Sequence, residues 1–581
     1  MMASKRMETI EADVLVVGGG IAGLMAAIRA AEMGAKVVLA DKGNTLTSGA
    51  GSAGNDHFLC YIPEVHGDDL DAYLKELREG KGGGIANLVG TTPAKVWLDK
   101  SFDIVKLWDQ WGIPMRADGD WTFAGHAFPG RLRARLKYWG KNQKMVLTKQ
   151  ARRRGVKIVN RVMVAELLGD GRAVSGAVGV DTREDRLYVF RAKAVFVGTG
   201  EVRRLYPGIT PAMLANDSLP ITLTGDGRAM VYRAGAELAN MEMIYRHVGL
   251  RNFARQGQGS WIGVYRDHFD EPLGPYVTKP DRLHGDKTPE VDKELFARIF
   301  ESAQGPVYMD CRGISEEDLE FLVHSLSNEG NQAVVDHLNG EGVDLRKNPV
   351  EFMTYSTIAV GGIFRDQGAA TNIAGLYTAG DEWGNGISAA SVFGWIAGEN
   401  AALYAKSALA ADGEREQATV DQVRRRAAAF LRTGGGADYD WKDATYALHQ
   451  TMRDYAGIVR SGPMLEAGLQ HLGRLKAKID EGLRATDRFE MIRCLETINL
   501  YDMGEVLMRS AIDRRESRDL HRRADCPITD PLRNGMAHIV RFDDGGAVFD
   551  WKPLEPAPAA RAKFKPKRRG KKGKLADAAQ D

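Results

Sequence analysis

Residues 12–41 read ADVLVVGGGIAGLMAAIRAAEMGAKVVLAD, and this stretch decides the fold. It opens with an apolar run, residues 12–17, which is typical of a strand buried on both faces of a parallel sheet. A G-x-G-x-x-G turn follows, then a helical segment (residues 24–33) and a second strand (residues 36–40) that ends at Asp41. In this pattern the first glycine permits the tight turn, the second lets the backbone approach a pyrophosphate, and the third lets helix and strand pack closely. The stretch therefore predicts a βαβ dinucleotide-binding unit with phosphates at the helix N-terminus and Asp41 on a ribose.

Two segments far downstream carry signals of the same kind. Residues 194–197 predict a strand that ends in the small-residue turn at 198–200. Residues 376–381 predict another strand ending in an acid, and a helical segment follows at 392–405. An acid beside a helix N-terminus suits a ribityl hydroxyl and the pyrimidine edge of a flavin. Taken alone, the segment is explained equally well as one more βα unit of the same sheet.

Length and composition indicate a globular protein of two or three domains. The chain has 581 residues, of which 44% are hydrophobic and 27% charged. No apolar run reaches the roughly 18–20 residues that a membrane helix needs. The polar N-terminus, residues 1–10, has no signal-peptide core. We therefore expect a cytoplasmic protein with peripheral or no membrane contact.

A basic C-terminal tail lies beyond a Pro/Ala-rich stretch at residues 553–560. Residues 561–575 hold nine Lys/Arg residues and no acid. A block of like charge with few apolar residues predicts a disordered tail. Contact with an acidic partner and a merely solvated tail are both open, and the second explains most basic tails. We expect no nucleic-acid partner.

The four cysteines are scattered singly along the chain, at Cys60, Cys311, Cys494 and Cys526. Iron–sulfur and zinc sites need clustered thiolates, so we expect no metal site in this chain. Any cluster that takes part in electron transfer would then lie on another polypeptide.

These segments resemble a known superfamily, which includes the flavoprotein subunits of succinate dehydrogenase and fumarate reductase, L-aspartate oxidase and the α subunit of adenylylsulfate reductase. The matching segments keep the superfamily's order and separation to about residue 540, and they are residues 14–41, 48–55, 224–227, 234–238, 241–242, 361–363, 375–381 and 515–518. The resemblance implies an α/β fold class, in which an FAD-binding Rossmann-like domain carries an inserted α+β capping domain and a C-terminal helical domain. Because the dinucleotide signals are split along the chain as in this superfamily, FAD is expected rather than NAD.

The implied domain layout has five parts. They are the first part of the FAD-binding domain (1–246), the capping domain (247–350), the second part of the FAD-binding domain (351–405), the helical C-terminal domain (406–540), and an extended segment with the basic tail (541–581). Within the helical domain, Asp487 and Glu490 stand at capping spacing. An apolar stripe at helical spacing follows them and predicts bundle core, comprising Ile492, Leu495, Met503, Val506 and Leu507.

Carried over position by position, the resemblance implies a set of FAD contacts. The set comprises Gly18, Gly20, Ala22, Gly23, Asp41, Lys42, Val164, Thr199, Gly200, Asp226, Asp381 and Ser388, together with Ser48, Gly49, Ala50, Gly51, Gly54 and Asn55 from a run that would pass along the isoalloxazine. In succinate dehydrogenases this run carries a histidine attached covalently to the flavin. Ser48 stands in that place here, and a serine hydroxyl does not make the linkage. We therefore expect noncovalent FAD.

The resemblance does not extend to the residues that bind a dicarboxylate. Fumarate and succinate enzymes of this superfamily hold their substrate with two histidines and two arginines. Only His247 remains; Thr357 stands where the second histidine would be, residues 382–387 contain no arginine, and the chain lacks an Arg-Gly-Glu-Gly segment. Because a dianion taken from water needs its charge matched, we expect that this chain is not itself a dicarboxylate enzyme.

The α subunit of adenylylsulfate reductase is the more similar relative in two respects. Its flavin-contacting run also reads Ser-Gly-Ala, and residues 245–251 compare with its arginine-bearing loop. Two positions differ from that family, which keeps a histidine at the position of Thr357 and an asparagine at that of Leu59.

The predicted catalytic residues are His57, His247, Arg246 and Arg251. His57 follows the flavin-contacting run, and a histidine there exchanges protons near physiological pH. Joint action with Asp56 is disfavoured because adjacent residues of a strand face opposite sides. His247, Arg246 and Arg251 suit an anionic group, and a surface salt bridge is the alternative for Arg251.

Three aromatic residues, Tyr355, Trp383 and Trp261, would suit a flat pocket for a planar substrate, with core packing as the alternative for two of them. His126 is a weaker candidate, because it fits an ordinary loop position equally well.

We therefore predict the catalytic flavoprotein subunit of an FAD-dependent oxidoreductase. It would move a hydride or an electron pair between a small anionic or planar substrate and a separate ferredoxin-like iron–sulfur subunit, within a hetero-oligomer. The alternatives are the α subunit of an adenylylsulfate reductase and a non-catalytic flavin protein that only transfers electrons.

Overall fold

The computed structural model describes residues 6–55, 57–79, 90–116, 119–123, 134–208, 220–251, 261–273, 299, 304–327, 332–380, 386–408, 414–431, 439–543 and 545–555. Predictions for Asp56, His126, Asp381, Trp383 and the basic tail lie outside these residues.

The strands are β1 (Arg6–Val17), β2 (Val37–Asp41), β3 (His57–Leu59), β4 (Arg135–Lys137), β5 (Lys157–Asn160), β6 (Val162–Gly169), β7 (Val174–Asp181), β8 (Arg186–Val197), β9 (Leu238–Ala239), β10 (Ile244–Leu250), β11 (Val264–Arg266), β12 (Val307–Asp310), β13 (Val350–Ala359), β14 (Gly362–Ile363), β15 (Leu376–Thr378), β16 (Val459–Arg460), β17 (Arg522–Arg523), β18 (Met536–Asp543) and β19 (Gly546–Pro553).

The α-helices are α1 (Ile21–Glu32), α2 (Pro63–His66), α3 (Leu70–Glu79), α4 (Thr91–Trp111), α5 (Gln143–Arg153), α6 (Asp226–Arg233), α7 (Glu316–Leu326), α8 (Gln332–Gly340), α9 (Gly386–Ser407), α10 (Glu414–Phe430), α11 (Trp441–Tyr455), α12 (Gly462–Gly482) and α13 (Arg488–Asp513). Short 3₁₀ helices lie at Ala50–Ala53, Gly140–Asn142 and Pro531–Arg533.

A seven-stranded sheet organises the first half of the chain, and its order is β5-β2-β1-β8-β7-β6, with β15 also paired to β8. The strands β5, β2, β1, β8 and β15 are parallel, whereas β7 and β6 are antiparallel. The distant strand β15 pairs with residues 195–197 of β8, directly beside the carboxyl end of β1. The predicted assembly of one dinucleotide-binding sheet from separated segments is therefore confirmed.

The helices α1 and α9 pack together on one face of this sheet, although they come from opposite ends of the dinucleotide-binding sequence. A Cβ atom on Gly398 would lie 2.2 Å from the backbone oxygen of Ala26, so only glycine permits the contact. Both helices begin before the predicted segments, and α1 starts at Ile21, inside the glycine motif. Gly23 therefore belongs to the first turn of α1.

A second, antiparallel sheet has the order β10-β13-β12-β11 and packs with α7 and α8 around an apolar cluster of its own. Trp261 is fully buried in this cluster, with its ring centroid 5.0 Å from that of Phe352. Core packing, the alternative considered for Trp261, is what the structure shows. The limits of the capping domain stay a prediction.

The C-terminal helices form the predicted bundle core. The carboxylate of Asp487 accepts a hydrogen bond from the backbone N–H of Glu490 at 2.9 Å and caps α13. The predicted apolar stripe of α13 is buried. After the bundle, β18 and β19 form a third sheet with β9 and β14. Within the described ranges we find no helix that is both long and apolar enough to cross a membrane.

Candidate functional site

The glycine turn between β1 and α1 has the geometry that its motif requires. Gly18 has a φ of +96°, and a Cβ atom on it would lie 2.3 Å from the backbone oxygen of Gly198. A Cβ atom on Gly23 would lie 1.8 Å from the backbone oxygen of Gly18. At Gly20, by contrast, a Cβ atom would meet nothing closer than the Gly198 oxygen at 4.0 Å. The first and third glycines are thus required by the protein itself, whereas the space at the second is open to a ligand.

The N-terminus of α1 is available to an anion. Its cap residue is Gly20, which makes no side-chain capping hydrogen bond, and Ala22 and Gly23 are buried in the first turn. The first amide groups of a helix need acceptors, and the helix dipole favours negative charge there. This turn therefore fits the diphosphate of a dinucleotide.

Asp41 ends β2 and holds the glycine turn to the loop that follows. Its buried carboxylate accepts hydrogen bonds from the Gly19 N–H at 2.7 Å, the Gly43 N–H at 2.8 Å and the Ser48 hydroxyl at 3.0 Å. A carboxylate has about four acceptor positions, so one remains for a ribose hydroxyl. The role predicted for Asp41 is compatible with this geometry.

The run at residues 48–55 lies across the glycine turn. A Cβ atom on Gly49 would lie 3.4 Å from Cα of Gly20, and one on Gly51 would lie 2.8 Å from Cγ1 of Ile21. Asn55 donates a hydrogen bond from Nδ2 to the backbone oxygen of His57 at 2.9 Å. The structure therefore brings the predicted flavin-contacting run to the predicted phosphate turn, with Ala50 exposed and Gly54 half-buried beside them.

Lys42 and Asp226, both predicted to contact FAD, lie together. The Lys42 ammonium group donates to Asp226 Oδ2 at 2.6 Å, to Glu496 Oε1 at 2.7 Å and to the Thr224 hydroxyl at 3.2 Å. Burial lowers the pKa of Lys42, but the charges of Asp226 and Glu496 outweigh burial and raise it, so the group stays charged. Asp226 also accepts from the amide of Asn499 at 2.9 Å.

Glu496 is fully buried on α13, and sequence reasoning missed its connection to the β2 end. Its carboxylate also contacts Arg204 at 3.0 Å and Arg493 at 2.8 Å. We call Lys42, Arg204, Asp226, Arg493 and Glu496 the Glu496 cluster. It contains three cations and two anions, all largely buried.

The predicted contacts on and after β6 and β8 lie in the same sheet. Thr199 and Gly200 follow β8 at the carboxyl edge, where the Thr199 hydroxyl accepts a hydrogen bond from the Gly227 N–H at 2.8 Å. Gly200 has a φ of +92°. Val164 is buried on β6 next to an irregularity in its pairing with β7.

Ser388 lies in the first turn of α9, and its buried hydroxyl has protein partners. It donates to the backbone oxygen of Leu59 at 2.6 Å and accepts from the indole N–H of Trp97 at 2.8 Å. The hydroxyl hydrogen of Ser388 is therefore already used within the protein. Trp97 was not singled out from the sequence, because its role depends on a contact between α4 and α9.

Lys144 is a further charged residue beside the glycine turn that sequence reasoning missed. It lies in the first turn of α5, its side chain is buried, and its ammonium group donates to the backbone oxygen of Gly19. Burial lowers the pKa of Lys144 to about 8, while Asp41 acts in the opposite direction. The neighbouring Gln143 donates to the backbone oxygen of Gly51 at 2.8 Å and joins α5 to the flavin-contacting run.

Two predicted catalytic residues lie on β10. The antiparallel pairing with β13 sets Arg246 opposite Thr357 and His247 opposite Tyr355, with a bulge between Arg246 and His247. The side chains of these four residues lie outside the described part of the structure. The backbone register nevertheless brings the retained histidine next to Thr357, which stands in the place of the second one.

A buried ion pair underlies the start of β10. Glu242 is fully buried, with Oε1 at 2.7 Å from Arg514 Nε and Oε2 at 3.1 Å from His538 Nδ1. Burial raises the pKa of Glu242, but the charges of Arg514 and His538 outweigh it and hold the pKa at about 2. Arg514 and His538 were not predicted, because they lie far from Glu242 in sequence.

Arg251 and His57 are the other two predicted catalytic residues. The side chain of Arg251 is 51% exposed and pairs with Glu351, which is the surface salt bridge considered as its alternative. His57 is half-buried on β3, paired with Lys137 of β4. It follows the 48–55 run in sequence, and its backbone oxygen accepts a hydrogen bond from Asn55; its catalytic role stays a prediction.

The four cysteines are all reduced, and Cys60, Cys311 and Cys494 are buried. Over the described ranges, no three His, Cys, Asp or Glu side chains are grouped so that they could hold a metal ion.

Comparison with known families places these features in context. Residues 13–391 match the family described as "FAD binding domain", and residues 445–571 match the family described as "Fumarate reductase flavoprotein C-term". The first match covers well over half of the chain and ends within α9, so it spans both separated parts of the sheet.

Relatives align over nearly the whole chain. A fumarate reductase (CoM/CoB) subunit from Methanothermobacter marburgensis is 26% identical over 557 residues, covering 90% of this chain and 96% of that protein. The fumarate reductase flavoprotein subunit of Escherichia coli K12 is 25% identical over 602 residues, covering 93% of this chain and 92% of that protein.

Solved structures show the same fold. Adenylylsulfate reductase from Archaeoglobus fulgidus superposes with a TM-score of 0.79 at 20% identity, covering 95% of this chain and 98% of that one. The flavoprotein of E. coli quinol fumarate reductase gives 0.76 at 22% identity, covering 96% and 99%.

The fold, the open glycine turn and the matched family together define an FAD-dependent oxidoreductase, and FAD is its cofactor. The chain belongs to the superfamily of fumarate reductase and succinate dehydrogenase flavoproteins.

Proposed function

We propose that this chain is the catalytic flavoprotein subunit of a two-component oxidoreductase that acts on a small anionic substrate. The observation that carries the proposal is the pairing of β10 with β13, which sets Arg246 and His247 beside Thr357 and Tyr355. Two residues before β10 begins, Glu242 forms a buried ion pair with Arg514. The bulge between Arg246 and His247 interrupts the strict alternation of sides along β10. A guanidinium and an imidazole at such neighbouring positions suit the binding of an anion and the movement of a proton.

FAD, when bound, supplies the acceptor and donor of an electron pair. The residues that would hold it are the amides at the start of α1, the free acceptor position of Asp41 and the 48–55 run. Arg246 would orient the anionic group of the substrate, and His247 would hold or deliver the proton. His57, which follows the 48–55 run in sequence, is a second candidate for proton transfer.

Noncovalent attachment of FAD is part of the proposal. The hydroxyl of Ser48 donates to Asp41 and ties the loop to the end of β2, and no imidazole stands at this position. Denaturing the protein in acid should release all of the flavin into the supernatant. Yellow colour that stays with the precipitated chain would contradict noncovalent binding.

The proposal assigns the protein a substrate other than a dicarboxylate, although relatives aligned over nearly the whole chain are named fumarate reductases. The basis is Thr357, which replaces an imidazole by a hydroxyl where a dianion needs charge. With reduced benzyl viologen as donor, we expect no fumarate-dependent oxidation by the purified protein. Saturable fumarate reduction that is lost in His247→Gln would establish the dicarboxylate activity instead.

Adenylylsulfate reduction is the second candidate, favoured by the Ser-Gly-Ala sequence at residues 48–50. Adding sulfite and AMP to the oxidised protein should change the flavin spectrum if this reaction occurs. Adding sulfite alone would show whether the nucleotide is needed. The same addition of sulfite and AMP to Arg246→Gln would show whether Arg246 is needed. An unchanged spectrum in the wild-type protein removes this candidate.

A non-catalytic electron-transfer role makes a different prediction for His247. The variant His247→Gln should retain FAD but lose substrate-dependent reduction or oxidation of the flavin, whereas the matched variant His268→Gln, at a separate turn, should keep both. If His247→Gln keeps substrate-dependent turnover, His247 is not the residue that moves the proton. If the wild-type flavin itself shows no substrate-dependent reduction or oxidation, the chain transfers electrons without substrate chemistry of its own.

We also propose a separate iron–sulfur protein as the electron partner. The chain supplies one dinucleotide turn, and its cysteines are dispersed rather than clustered. Co-purification of the natively expressed protein should yield a second polypeptide with the iron content of one or more clusters. Rapid reoxidation of the isolated chain by oxygen, with no partner retained, would identify an oxidase instead.

A further inference from the structure

The buried lysine beside the glycine turn, Lys144, has no assigned role. Its side chain is 2% exposed, yet lysine is almost never buried without a compensating charge. Among the described residues its ammonium group has one hydrogen-bond acceptor, the neutral backbone oxygen of Gly19. A buried charge with a single neutral acceptor is costly, so the position needs an explanation.

Asp41 does not supply a hydrogen-bond acceptor to Lys144. It acts on Lys144 electrostatically and opposes the lowering of the Lys144 pKa by burial. Its hydrogen bonds from within the described residues come from the Gly19 and Gly43 amides and the Ser48 hydroxyl instead. Two of the three N–H bonds of Lys144 therefore lack an acceptor within the part of the chain that the structure describes.

The location of Lys144 identifies the missing anion. Gly19 lies between Gly18 and Gly20, the two glycines that shape the phosphate turn, and Gly20 is the uncapped start of α1. The ammonium group thus stands one residue from the backbone that fits a diphosphate. Gln143, the preceding residue of α5, donates to the backbone oxygen of Gly51 in the 48–55 run, so the first turn of α5 contacts both this run and the phosphate turn.

We propose that Lys144 is an FAD-holding residue, whose ammonium group compensates the negative charge of the diphosphate at the glycine turn. The inference rests on the FAD site proposed above and adds a residue that the glycine motif does not contain. Lysine supplies a compact charge with three donors, which suits phosphate oxygens. Lys144 lies on α5, which belongs neither to the βαβ unit at residues 12–41 nor to the segment that contains β15.

Two substitutions separate the charge of Lys144 from its hydrogen bond. Lys144→Gln keeps a donor for the Gly19 oxygen but removes the charge, and Lys144→Met removes both. Lys149→Gln is the matched control, since Lys149 is exposed on the same helix. Each flavin-free protein would be titrated with FAD, ADP and adenosine by calorimetry, after far-UV circular dichroism has shown native helix content.

We expect both Lys144 variants to raise the dissociation constants of FAD and ADP about tenfold or more, because a charge-assisted contact is lost. The dissociation constant of adenosine, which has no phosphate, should stay unchanged, and so should every constant of Lys149→Gln. Wild-type-like binding of FAD by Lys144→Gln would overturn the inference and leave Lys144 a residue that only pins the turn. Equal weakening of adenosine and ADP would overturn it as well. A wild-type protein that binds none of the ligands would instead refute the proposed FAD site.

Discussion

The substitution Glu496→Gln tests whether the Glu496 cluster holds the helical domain to the end of β2. Glu496 is fully buried and contacts three cations, Lys42 at 2.7 Å, Arg204 at 3.0 Å and Arg493 at 2.8 Å. Glutamine has nearly the same shape but removes the negative charge. Three buried cations would then face Asp226 as the one remaining anion of the cluster.

The expected cost is large because the cations stay buried. Removing one member of a buried ion pair leaves an uncompensated charge and costs about 3–5 kcal/mol. In wild-type protein Arg204 already has a lowered pKa, because burial outweighs the charge of Glu496. Losing Glu496 adds to this penalty, so we expect Glu496→Gln to reach the upper part of that range.

Glu505→Gln on the same helix is the control. Glu505 pairs with Lys476 and Arg509, but the three side chains are 30–42% exposed, and such pairs contribute under about 1 kcal/mol. Urea unfolding of both variants, followed by circular dichroism at one fixed FAD concentration, measures the free energies of unfolding. If Glu496→Gln is destabilised no more than Glu505→Gln, the cluster is not the connection that we infer.

Three other perturbations have defined outcomes. Gly23→Ala places a Cβ atom 1.8 Å from the Gly18 oxygen, so the turn must shift, and FAD titration should show binding weakened about a hundredfold or more; unchanged affinity would show that the turn is not the phosphate site. Trp97→Phe removes the indole donor to Ser388 and should lower the free energy of unfolding by about 1 kcal/mol in urea, with no change indicating a dispensable bond. Burial lowers the pKa of His449 to about 4 and, with Arg460, that of His521 to about 3, so both are neutral when folded. Their contribution is present above the unfolded pKa of about 6.5 and is lost as pH falls towards 4 and 3, at up to about 1.4 kcal/mol per pH unit each; unfolding between pH 6.5 and 4.5 should show a smaller slope in the double His→Gln variant, and equal slopes would refute this origin.

The dinucleotide-binding part of the fold was predictable because its determinants are local. The strand, the glycine turn and the first helix follow one another. Gly18 is required by its contact with Gly198, which follows β8, and Gly23 by its contact with Gly18 within the motif. The presence of β15 in this sheet was predictable as well, since a strand ending in an acid before a helix is a local pattern. Its pairing with β8 was not predicted. The predicted start of α1, at residue 24, lies after its observed start at Ile21, because the glycine motif continues into the first turn of this helix.

The partners of the predicted site residues were not predictable in the same way. Lys42 was expected to face FAD, and no local pattern indicates that Glu496 lies beside it. From the sequence, Lys144 is an ordinary basic residue of an amphipathic helix. Its contact with Gly19 is evident only from the packing of α5 against the glycine turn. Pairings of this kind depend on how separate elements pack. The periodicity of a sequence predicts single helices and strands but not these contacts between them.

Asp41, the last residue of β2, and Lys42, the next residue, contact different parts of the molecule. Asp41 turns towards the glycine motif and fixes Gly19, Gly43 and Ser48, whereas Lys42 turns away and reaches Asp226 and Glu496. Glu496 of α13 thus contacts the residue that directly follows Asp41, whose carboxylate accepts the hydrogen bond from Gly19 in the phosphate turn. The C-terminal helices therefore contact the residue next to the predicted cofactor site through the side chain of Lys42.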